Sequence, residues 1–368
     1  MNIPYLSFNA TNDRIRTEAL AAFERFFDSK WYVLGQSVKD FEAAYAAYSG
    51  TEHCVGVANG LDALHISLKV LGVGPGDEVI VPSNTYIASV LAVSMVGATP
   101  IMVEPRLDTY NLDPDQVEAA ITSRTKAIMP VHLYGQCCEM NRIMAIAERH
   151  QLYVAEDNAQ AQGATCQGKP TGSWGHINGT SFYPGKNLGA LGDGGGITTD
   201  SAEWAQACRT LRNYGSQRKY YNEIKGINSR LDEAHAAILQ VKLPHLPDWN
   251  VERNQIANWY QTYLKEVTEI ILPTLAEGCT SVYHIFPIRS QSRDELQAYL
   301  KEKGIGTLIH YPVPPHLQEA YQELGHEEGD FPIAEEIAAT ELSLPLYPGL
   351  SEGEVHYICE QIQGFFNL

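Results

Sequence analysis

The sequence predicts an α/β fold in which a mixed, mostly parallel sheet lies between helices and is followed by a smaller α+β domain. Short apolar segments with strand character alternate with helical patterns from about residue 54 to residue 200, which is typical of a mostly parallel sheet. A chain of 368 residues is also long for one hydrophobic core. We therefore expect a large domain at residues 1–249 and a small domain at residues 250–368.

The elements of the large domain follow from apolar spacing. Two helices are predicted first, one over residues 12–29 and one from Val38 that stops at Gly50, and both are expected to pack on the core. Strands are then predicted at 54–58, 79–81, 100–103, 127–131 and 152–157, with two more near 180–200. Helices are predicted between and after them at 64–71, 90–96, 114–121, 142–150 and 236–241. In the small domain, 283–288 reads as a strand and 293–302 as a helix.

Composition is that of an ordinary globular protein, with 44% hydrophobic and 19% charged residues. The net charge of −18 argues against nucleic acid or an anionic membrane as a partner. No apolar run is long enough to span a bilayer and no signal peptide is recognisable, so we expect a cytoplasmic protein. The seven cysteines have no C-x-x-C or zinc spacing, which favours reduced thiols over disulfides and predicts no metal site. Cys137 and Cys138 are interpreted as packing residues.

One lysine, Lys186, stands in a run of small and turn-forming residues between Ser181 and Gly196. Glycines allow the backbone to approach a ligand closely, and a lysine whose pKa is lowered by its surroundings forms Schiff bases with carbonyl groups. The alternative is a solvated lysine in a glycine-rich hairpin. The glycines do not match a phosphate-binding loop, because they lack the G-x-x-x-x-G-K-[ST] spacing.

A second feature lies upstream, where an apolar strand ends in Glu156 and Asp157. Ligands of parallel α/β sheets bind at the carboxyl ends of strands, and a carboxylate there can pair with the protonated pyridine nitrogen of pyridoxal phosphate (PLP). Alone, two acids in this position more often cap a strand end. Together with Lys186 they indicate a PLP site.

The pattern Asp157-x-x-Gln160 followed by Ser181-x-x-x-x-Lys186 resembles the DegT/StrS family of fold-type I, PLP-dependent nucleotide-sugar aminotransferases. The resemblance runs from Gly35-Gln36-Ser37-Val38 to Leu344-Pro345-Leu346-Tyr347-Pro348. The segments 58–64, 82–88 and 310–318 look most similar to the branch that aminates C3 of dTDP-3-keto-6-deoxyhexoses.

The resemblance implies that Lys186 carries PLP and moves the proton, and that Asp157 keeps the pyridine nitrogen protonated. It also implies pyridoxamine phosphate as the intermediate form of the cofactor, L-glutamate as the amino donor, and a homodimer whose active sites are shared. The implied cofactor contacts are Gly60, Leu61, Tyr86, Asp157, Gln160, Ser181, Lys186 and, from the partner subunit, Asn228. The implied substrate contacts are Tyr183, Lys219, Tyr221, His310 and Tyr311. Many relatives have threonine where Leu61 stands, so here the backbone must serve.

Residues 209–230 depart from the acidic balance, because they hold six cations and a single acid, Glu223, with three tyrosines interleaved. This segment is interpreted either as a solvated face or as a platform for the diphosphate and base of a nucleotide-sugar. Other residues also keep a structural alternative: Asn59-Gly60 as a plain turn, Tyr86 as a core tyrosine and His310 as a loop histidine.

Single residues or motifs separate the competing functions. The sugar 3-dehydratase branch has histidine in place of the lysine, so Lys186 favours transamination. A 4-keto-sugar nucleotide and a PLP-binding regulatory protein without turnover remain as alternatives. An NAD-dependent oxidoreductase is disfavoured because no G-x-G-x-x-G follows the first strand. The configuration at C4 of the product and the identity of the nucleotide stay open.

Overall fold

The computed structural model describes residues 1–366. Its α-helices are α1 (Asn9–Ser29), α2 (Gln36–Ser49), α3 (Gly60–Val70), α4 (Ile87–Met95), α5 (Pro114–Ala119), α6 (Met140–His150), α7 (Ala202–Leu211), α8 (Glu233–Lys242), α9 (Leu246–Leu264), α10 (Arg293–Glu302), α11 (Pro332–Thr340) and α12 (Glu352–Phe366). Its strands are β1 (His53–Val57), β2 (Glu78–Pro82), β3 (Thr99–Val103), β4 (Thr125–Ile128), β5 (Tyr153–Asp157), β6 (Thr165–Cys166), β7 (Lys169–Pro170), β8 (Ile177–Ser181), β9 (Gly195–Thr199), β10 (Phe286–Arg289) and β11 (Glu341–Leu344). Short 3-10 helices lie at Leu133–Gly135, Leu243–His245, Pro315–Leu317 and Glu319–Leu324.

The predicted mixed, mostly parallel sheet is confirmed. Its seven strands have the order β1-β9-β8-β5-β4-β2-β3. Every pair from β8 to β3 is parallel, whereas β9 is antiparallel to both of its neighbours. The strands are buried on both faces, as in β2, because helices cover the sheet on either side.

This topology places the ends of several strands at one edge. Because β1, β2, β5 and β8 run in the same direction, their carboxyl ends meet there. Gly60 begins α3 just after β1, Tyr86 follows β2, Asp157 ends β5 and Ser181 ends β8. The loop that carries Lys186 joins β8 to β9 at the same edge.

The C-terminal part has a separate hydrophobic cluster around the β10–β11 pair, in which Tyr260, Phe286 and Ile358 are buried. The N-terminal residue Ile3 also packs in this cluster and pairs with Ile305. The predicted boundary at residues 249 and 250 falls inside α9, and the domain division stays a prediction. The last two residues of the predicted small domain, 367 and 368, lie outside the described residues.

Helix α1 corrects one expectation. On the predicted apolar face, Ile15 is buried as expected, but Leu20, Phe23 and Phe27 are exposed, and Ala22 faces inward in addition to Ile15. The apolar spacing predicted the helix correctly but not which side chains are buried. The helical period alone does not show whether an apolar face packs on the core or is covered by another surface. Within residues 1–366, no helix combines the length and apolar character needed to cross a membrane.

Candidate active site

Lys186 lies in the loop between β8 and β9, where its backbone N–H donates to the Tyr183 carbonyl at 2.8 Å. Burial lowers the pKa of its amine to about 8, and the nearby Asp157 carboxylate opposes the shift. Near neutral pH a substantial fraction of this amine is therefore unprotonated, which a nucleophile toward an aldehyde requires. The effect of the Asp157 carboxylate on the Lys186 amine shows that the two side chains lie near each other, and their shared role at one site stays a prediction.

Asp157 is held at the end of β5 with 6% of its surface exposed. Ser89 Oγ on α4 donates to its Oδ2 at 2.7 Å, and the N–H of Ala159 donates to its Oδ1 at 3.1 Å. Thr85 Oγ1 lies 2.9 Å from Ser89 Oγ and extends the network. Two donors on two oxygens fix the plane of the carboxylate. Sequence reasoning missed Ser89, whose only signal is a small polar residue within an apolar helix.

Gly60 and Ser181 form a close contact between the N-terminus of α3 and the end of β8. A Cβ atom on Gly60 would lie 2.8 Å from Ser181 Cβ, so only glycine fits there without displacement. Asn59 caps the helix by accepting the Asp62 N–H at 2.8 Å. Helix N-termini leave N–H groups free and carry partial positive charge, which suits the phosphate of a cofactor at Gly60 and Leu61.

The amide of Gln160 is oriented by partners from two other segments. Its Oε1 accepts the Tyr134 N–H at 2.7 Å and its Nε2 donates to the Tyr311 hydroxyl at 3.1 Å. The ring of Tyr311 lies 5.2 Å from the ring of Tyr86, which is 53% exposed at the start of α4. An exposed tyrosine ring at this edge is available to stack on a planar ligand.

His310 belongs to a hydrogen-bonded chain that the sequence did not reveal. Its Nδ1 lies 2.8 Å from Ser343 Oγ, which in turn donates to Glu341 Oε1, and the His310 N–H donates to Glu341 Oε2 at 2.7 Å. Burial lowers the pKa of His310 to about 4, with the Lys186 charge as the second cause. Burial raises the pKa of Glu341 to about 8. Near neutral pH the His310 imidazole is therefore uncharged, although it lies near Lys186.

His284 is a second histidine near Lys186 that sequence reasoning missed. Its Nδ1 lies 3.3 Å from Asn187 Oδ1, one residue beyond Lys186. Burial and then the Lys186 charge hold the pKa of His284 well below its usual value. Two neutral imidazoles therefore line the surroundings of the amine, and only the packing of residues near 284 against the 186 loop brings this one close.

The segment 209–230 projects cations over aromatic rings. The Arg218 guanidinium lies 4.2 Å from the ring centre of Tyr221, and the Lys219 amine lies 5.1 Å from that of Tyr220. Ser229 anchors the segment by accepting the Ala58 N–H at 3.0 Å, next to β1. Among residues 1–366, no hydrogen bond or ion pair joins Lys219, Tyr221 or Asn228 to Lys186 or Asp157. These three residues and the exposed Tyr183 stay predictions as ligand contacts.

The residues at the sheet edge fit PLP by their chemistry. A lysine with a lowered pKa suits the aldehyde, an oriented carboxylate suits the pyridine nitrogen, and the helix start at Gly60 with the Ser181 hydroxyl suits the phosphate. The short approach between Gly60 and Ser181 leaves room there for main chain and ligand but not for a side chain. Among the described residues, no group of three or more histidine, cysteine or acidic side chains is arranged to hold a metal ion.

Comparisons with known proteins give the same answer. A family model described as the DegT/DnrJ/EryC1/StrS aminotransferase family matches residues 13–363. The chain is 52% identical over 363 residues to the dTDP-3-amino-3,6-dideoxy-alpha-D-galactopyranose transaminase of Aneurinibacillus thermoaerophilus, which covers 99% of each chain. It is 49% identical over 358 residues to the erythromycin biosynthesis sensory transduction protein EryC1 of Saccharopolyspora erythraea, covering 97% of this chain and 98% of that protein.

A solved structure is also similar over nearly the whole length. The crystal structure of DesV from S. venezuelae in complex with a ketimine intermediate aligns with a TM-score of 0.97 and 48% identity. The alignment covers 99% of this chain and 98% of that one. The matched range includes every residue that the sequence and the geometry assign to the site.

Proposed function

The chain belongs to the DegT/DnrJ/EryC1/StrS aminotransferase family, and from this we propose that it transfers an amino group to C3 of a dTDP-3-keto-6-deoxyhexose. The observation that carries the proposal is the placement of Lys186 beside the oriented Asp157 carboxylate at the sheet edge, in a chain 52% identical to a transaminase for a dTDP-3-amino-3,6-dideoxy sugar. The product would be a dTDP-3-amino-3,6-dideoxyhexose for deoxyaminosugar biosynthesis.

The donor and the cofactor complete the proposal. We take L-glutamate as the donor, as the resemblance implies. PLP, when bound, supplies an aldehyde that takes up the amino group and a ring that withdraws electrons. Lys186 would hold the cofactor, and Gly60, Leu61 and Ser181 would bind its phosphate.

The reaction then depends on what the side chains of this chain hold and move. Asp157, oriented by Ser89 and Ala159, holds the proton on the pyridine nitrogen. Lys186, whose lowered pKa makes its amine a base near neutral pH, takes the proton from Cα of the donor and returns one to the sugar carbon. Hydrogen bonds to Tyr134 and Tyr311 hold Gln160 in a fixed orientation at the edge of the site.

The nucleotide-sugar would bind beside this centre. Arg218 and Lys219 are stacked with tyrosines on an exposed segment, which suits a diphosphate and a base or sugar ring. His310 and Tyr311 are proposed as further contacts to the sugar. Lys219→Ala is expected to raise KM for the nucleotide-sugar without changing KM for L-glutamate, and an unchanged KM for the nucleotide-sugar would remove this segment from the site.

The homodimer is part of the proposal. Exposed apolar side chains on α1 and the turn after it, namely Leu20, Phe23, Phe27, Trp31, Tyr32 and Val33, form a surface that a second copy would cover. Asn228 is exposed, which suits a contact to the other subunit. Phe27→Asp is expected to shift the sedimentation of the protein toward the monomer, whereas Val251→Asp, at an exposed apolar residue on α9, serves as the control. The cytoplasmic location stays a prediction.

The function is tested by product analysis. Purified protein loaded with PLP is incubated with 15N-labelled L-glutamate and dTDP-3-keto-6-deoxyhexose, and the nucleotide-sugar product is analysed by mass spectrometry. We expect one 15N atom in the product from the wild type and none from Lys186→Ala. Faster amination of the 4-keto isomer would overturn the C3 assignment.

A regulatory role without turnover is the second candidate, because one relative is named as a sensory transduction protein. The two roles separate cleanly: a protein that binds PLP through Lys186 but releases no 2-oxoglutarate with any keto sugar would favour regulation. The complete set of Lys186, Asp157 and its two donors favours turnover.

A further inference from the structure

Three buried thiols from separate segments meet outside the active site. Cys137 follows the 3-10 helix at Leu133–Gly135, Cys166 lies in β6, and Cys279 precedes β10. All three are free and lie in one hydrophobic cluster, and their thiols contact one another. We call Cys137, Cys166 and Cys279 the thiol cluster. Packing accounts for their burial but not for the convergence of three thiols.

Cys166 and Cys279 are direct cross-strand neighbours. They form an antiparallel bridge flanked by hydrogen bonds from Gln167 N to the Gly278 carbonyl at 2.7 Å and from Thr280 N to the Thr165 carbonyl at 2.8 Å. This is the pattern of a pair without mutual hydrogen bonds, in which Cα atoms are about 4.5 Å apart and side chains are closest. That separation lies inside the range of Cα distances, about 4.4–6.8 Å, that a disulfide spans.

The sulfur of Cys166 is surrounded by hydrogen-bond donors. The thiols of Cys137 and Cys279 and the backbone N–H groups of Asn141 and Met140, at the start of α6, all favour its thiolate, and they lower the pKa of Cys166 below its usual value. Asn141 Oδ1 lies 3.7 Å away and accepts from the neutral thiol. A helix N-terminus and facing donors are the environment in which cysteines become nucleophilic.

The remaining groups near the thiol cluster place the negative charge on Cys166. Burial raises the pKa of Cys137, and the facing thiols, Cys138 and the Glu156 carboxylate raise it further. Burial also raises the pKa of Cys138. Glu156 is itself turned toward His132 and toward the N–H groups of Gly172, Trp174 and Gly175. Cys166 is therefore the thiol that ionises, and the others donate to it.

We infer that the thiol cluster is an oxidation site, in which Cys166 is the reactive thiol and Cys279 closes a reversible disulfide with it. Peroxide is the proposed oxidant. The Cys166 thiolate attacks the O–O bond and becomes a sulfenic acid while hydroxide leaves, and the Cys279 thiol then attacks that sulfur and releases water. The two sulfurs lose two electrons in total, and one peroxide is reduced to two waters.

Both residues are buried, but each lies next to exposed residues. Cys166 is followed by the exposed turn 167–169, and Cys279 lies between exposed residues at 277–278 and 280. The β6–β7 pair is separate from the seven-stranded sheet, so we expect a local opening of this turn to expose the sulfurs while that sheet stays intact. The site is independent of the proposed function, because within residues 1–366 no hydrogen bond or ion pair joins any of its members to Lys186 or Asp157.

The test is a disulfide map of the folded, PLP-loaded enzyme. The protein is treated with hydrogen peroxide, blocked with N-ethylmaleimide, digested without reductant and analysed by mass spectrometry. We expect one linked pair of peptides that joins Cys166 to Cys279 and separates with dithiothreitol. Cys137→Ser is expected to retain this link, because Cys137 is a donor and not a partner.

Controls distinguish reactivity from general oxidation. Cys166→Ser and Cys279→Ser should each abolish the link, and Cys208→Ser should leave it intact, because Cys208 is a buried cysteine outside the thiol cluster. A second measurement is the pH dependence of maleimide labelling, which should begin at a lower pH for Cys166 than for Cys208. No link, a link through Cys137, or equal labelling of Cys166 and Cys208 across pH would overturn the inference.

Discussion

Removal of the Ser89 hydroxyl tests whether the orientation of Asp157 drives catalysis. Ser89→Ala deletes the donor to Asp157 Oδ2, a hydrogen bond of 2.7 Å between a side chain 1% exposed and one 6% exposed. A hydrogen bond to a charged group contributes about 1.5–3 kcal/mol, which corresponds to a loss of about 10- to 150-fold in rate. The backbone N–H of Ala159 still holds Oδ1, so the carboxylate should stay in the site but rotate more freely.

The assay is the rate at which L-glutamate changes the visible absorbance of the PLP-loaded enzyme in a single turnover. The matched control is Ser94→Ala, the same substitution on the same helix, where the hydroxyl contacts Val90 and Tyr321 instead. Thermal unfolding of both variants shows whether each retains the fold. If Ser89→Ala reacts with L-glutamate as fast as Ser94→Ala, orientation of Asp157 by Ser89 does not contribute to the reaction.

Three further predictions address the cofactor site and its surroundings. The rate at which the apoenzyme takes up PLP should rise with pH, with a midpoint near 8, because burial lowers the Lys186 pKa to about 8 and only the neutral amine attacks the aldehyde. This rate is measured by stopped-flow absorbance, and a rate that does not change with pH would contradict the prediction. Gly60→Ala should weaken PLP binding by about 5- to 150-fold in a fluorescence titration, because overpacking against Ser181 costs about 1–3 kcal/mol. The control Gly353→Ala, where a Cβ atom would meet open space, should bind PLP as the wild type does. Burial raises the pKa of Glu341 from an ordinary 4.5 to about 8, so ionisation of this residue destabilises the folded state as pH rises from 4.5 through 8. The free energy of unfolding of Glu341→Gln, measured by urea titration, should therefore increase relative to that of the wild type between pH 5 and 9. A difference between the two proteins that does not change with pH would refute the assignment.

The fold was largely predictable because its signals are local. Each strand–helix unit carries its own apolar spacing, and every predicted segment of the large domain coincides with an element of the same type within a few residues. The exposure of Phe23 and Phe27 was not predictable, because a helical stripe that will be covered by another surface has the same spacing as one that faces the core.

The sequence by itself determined the chemistry of the site, because Lys186 and Asp157 stand in motifs whose residue types and spacing are unusual enough to identify a cofactor. It could not identify the residues that hold them. Ser89 is 68 positions from Asp157, and Ser343 is 33 positions from His310, and serines and glutamates of this kind are common everywhere. The tertiary structure alone decided which of them meet, because the order of the strands brings distant strand ends to one edge and burial then gives ordinary side chains their altered pKa values.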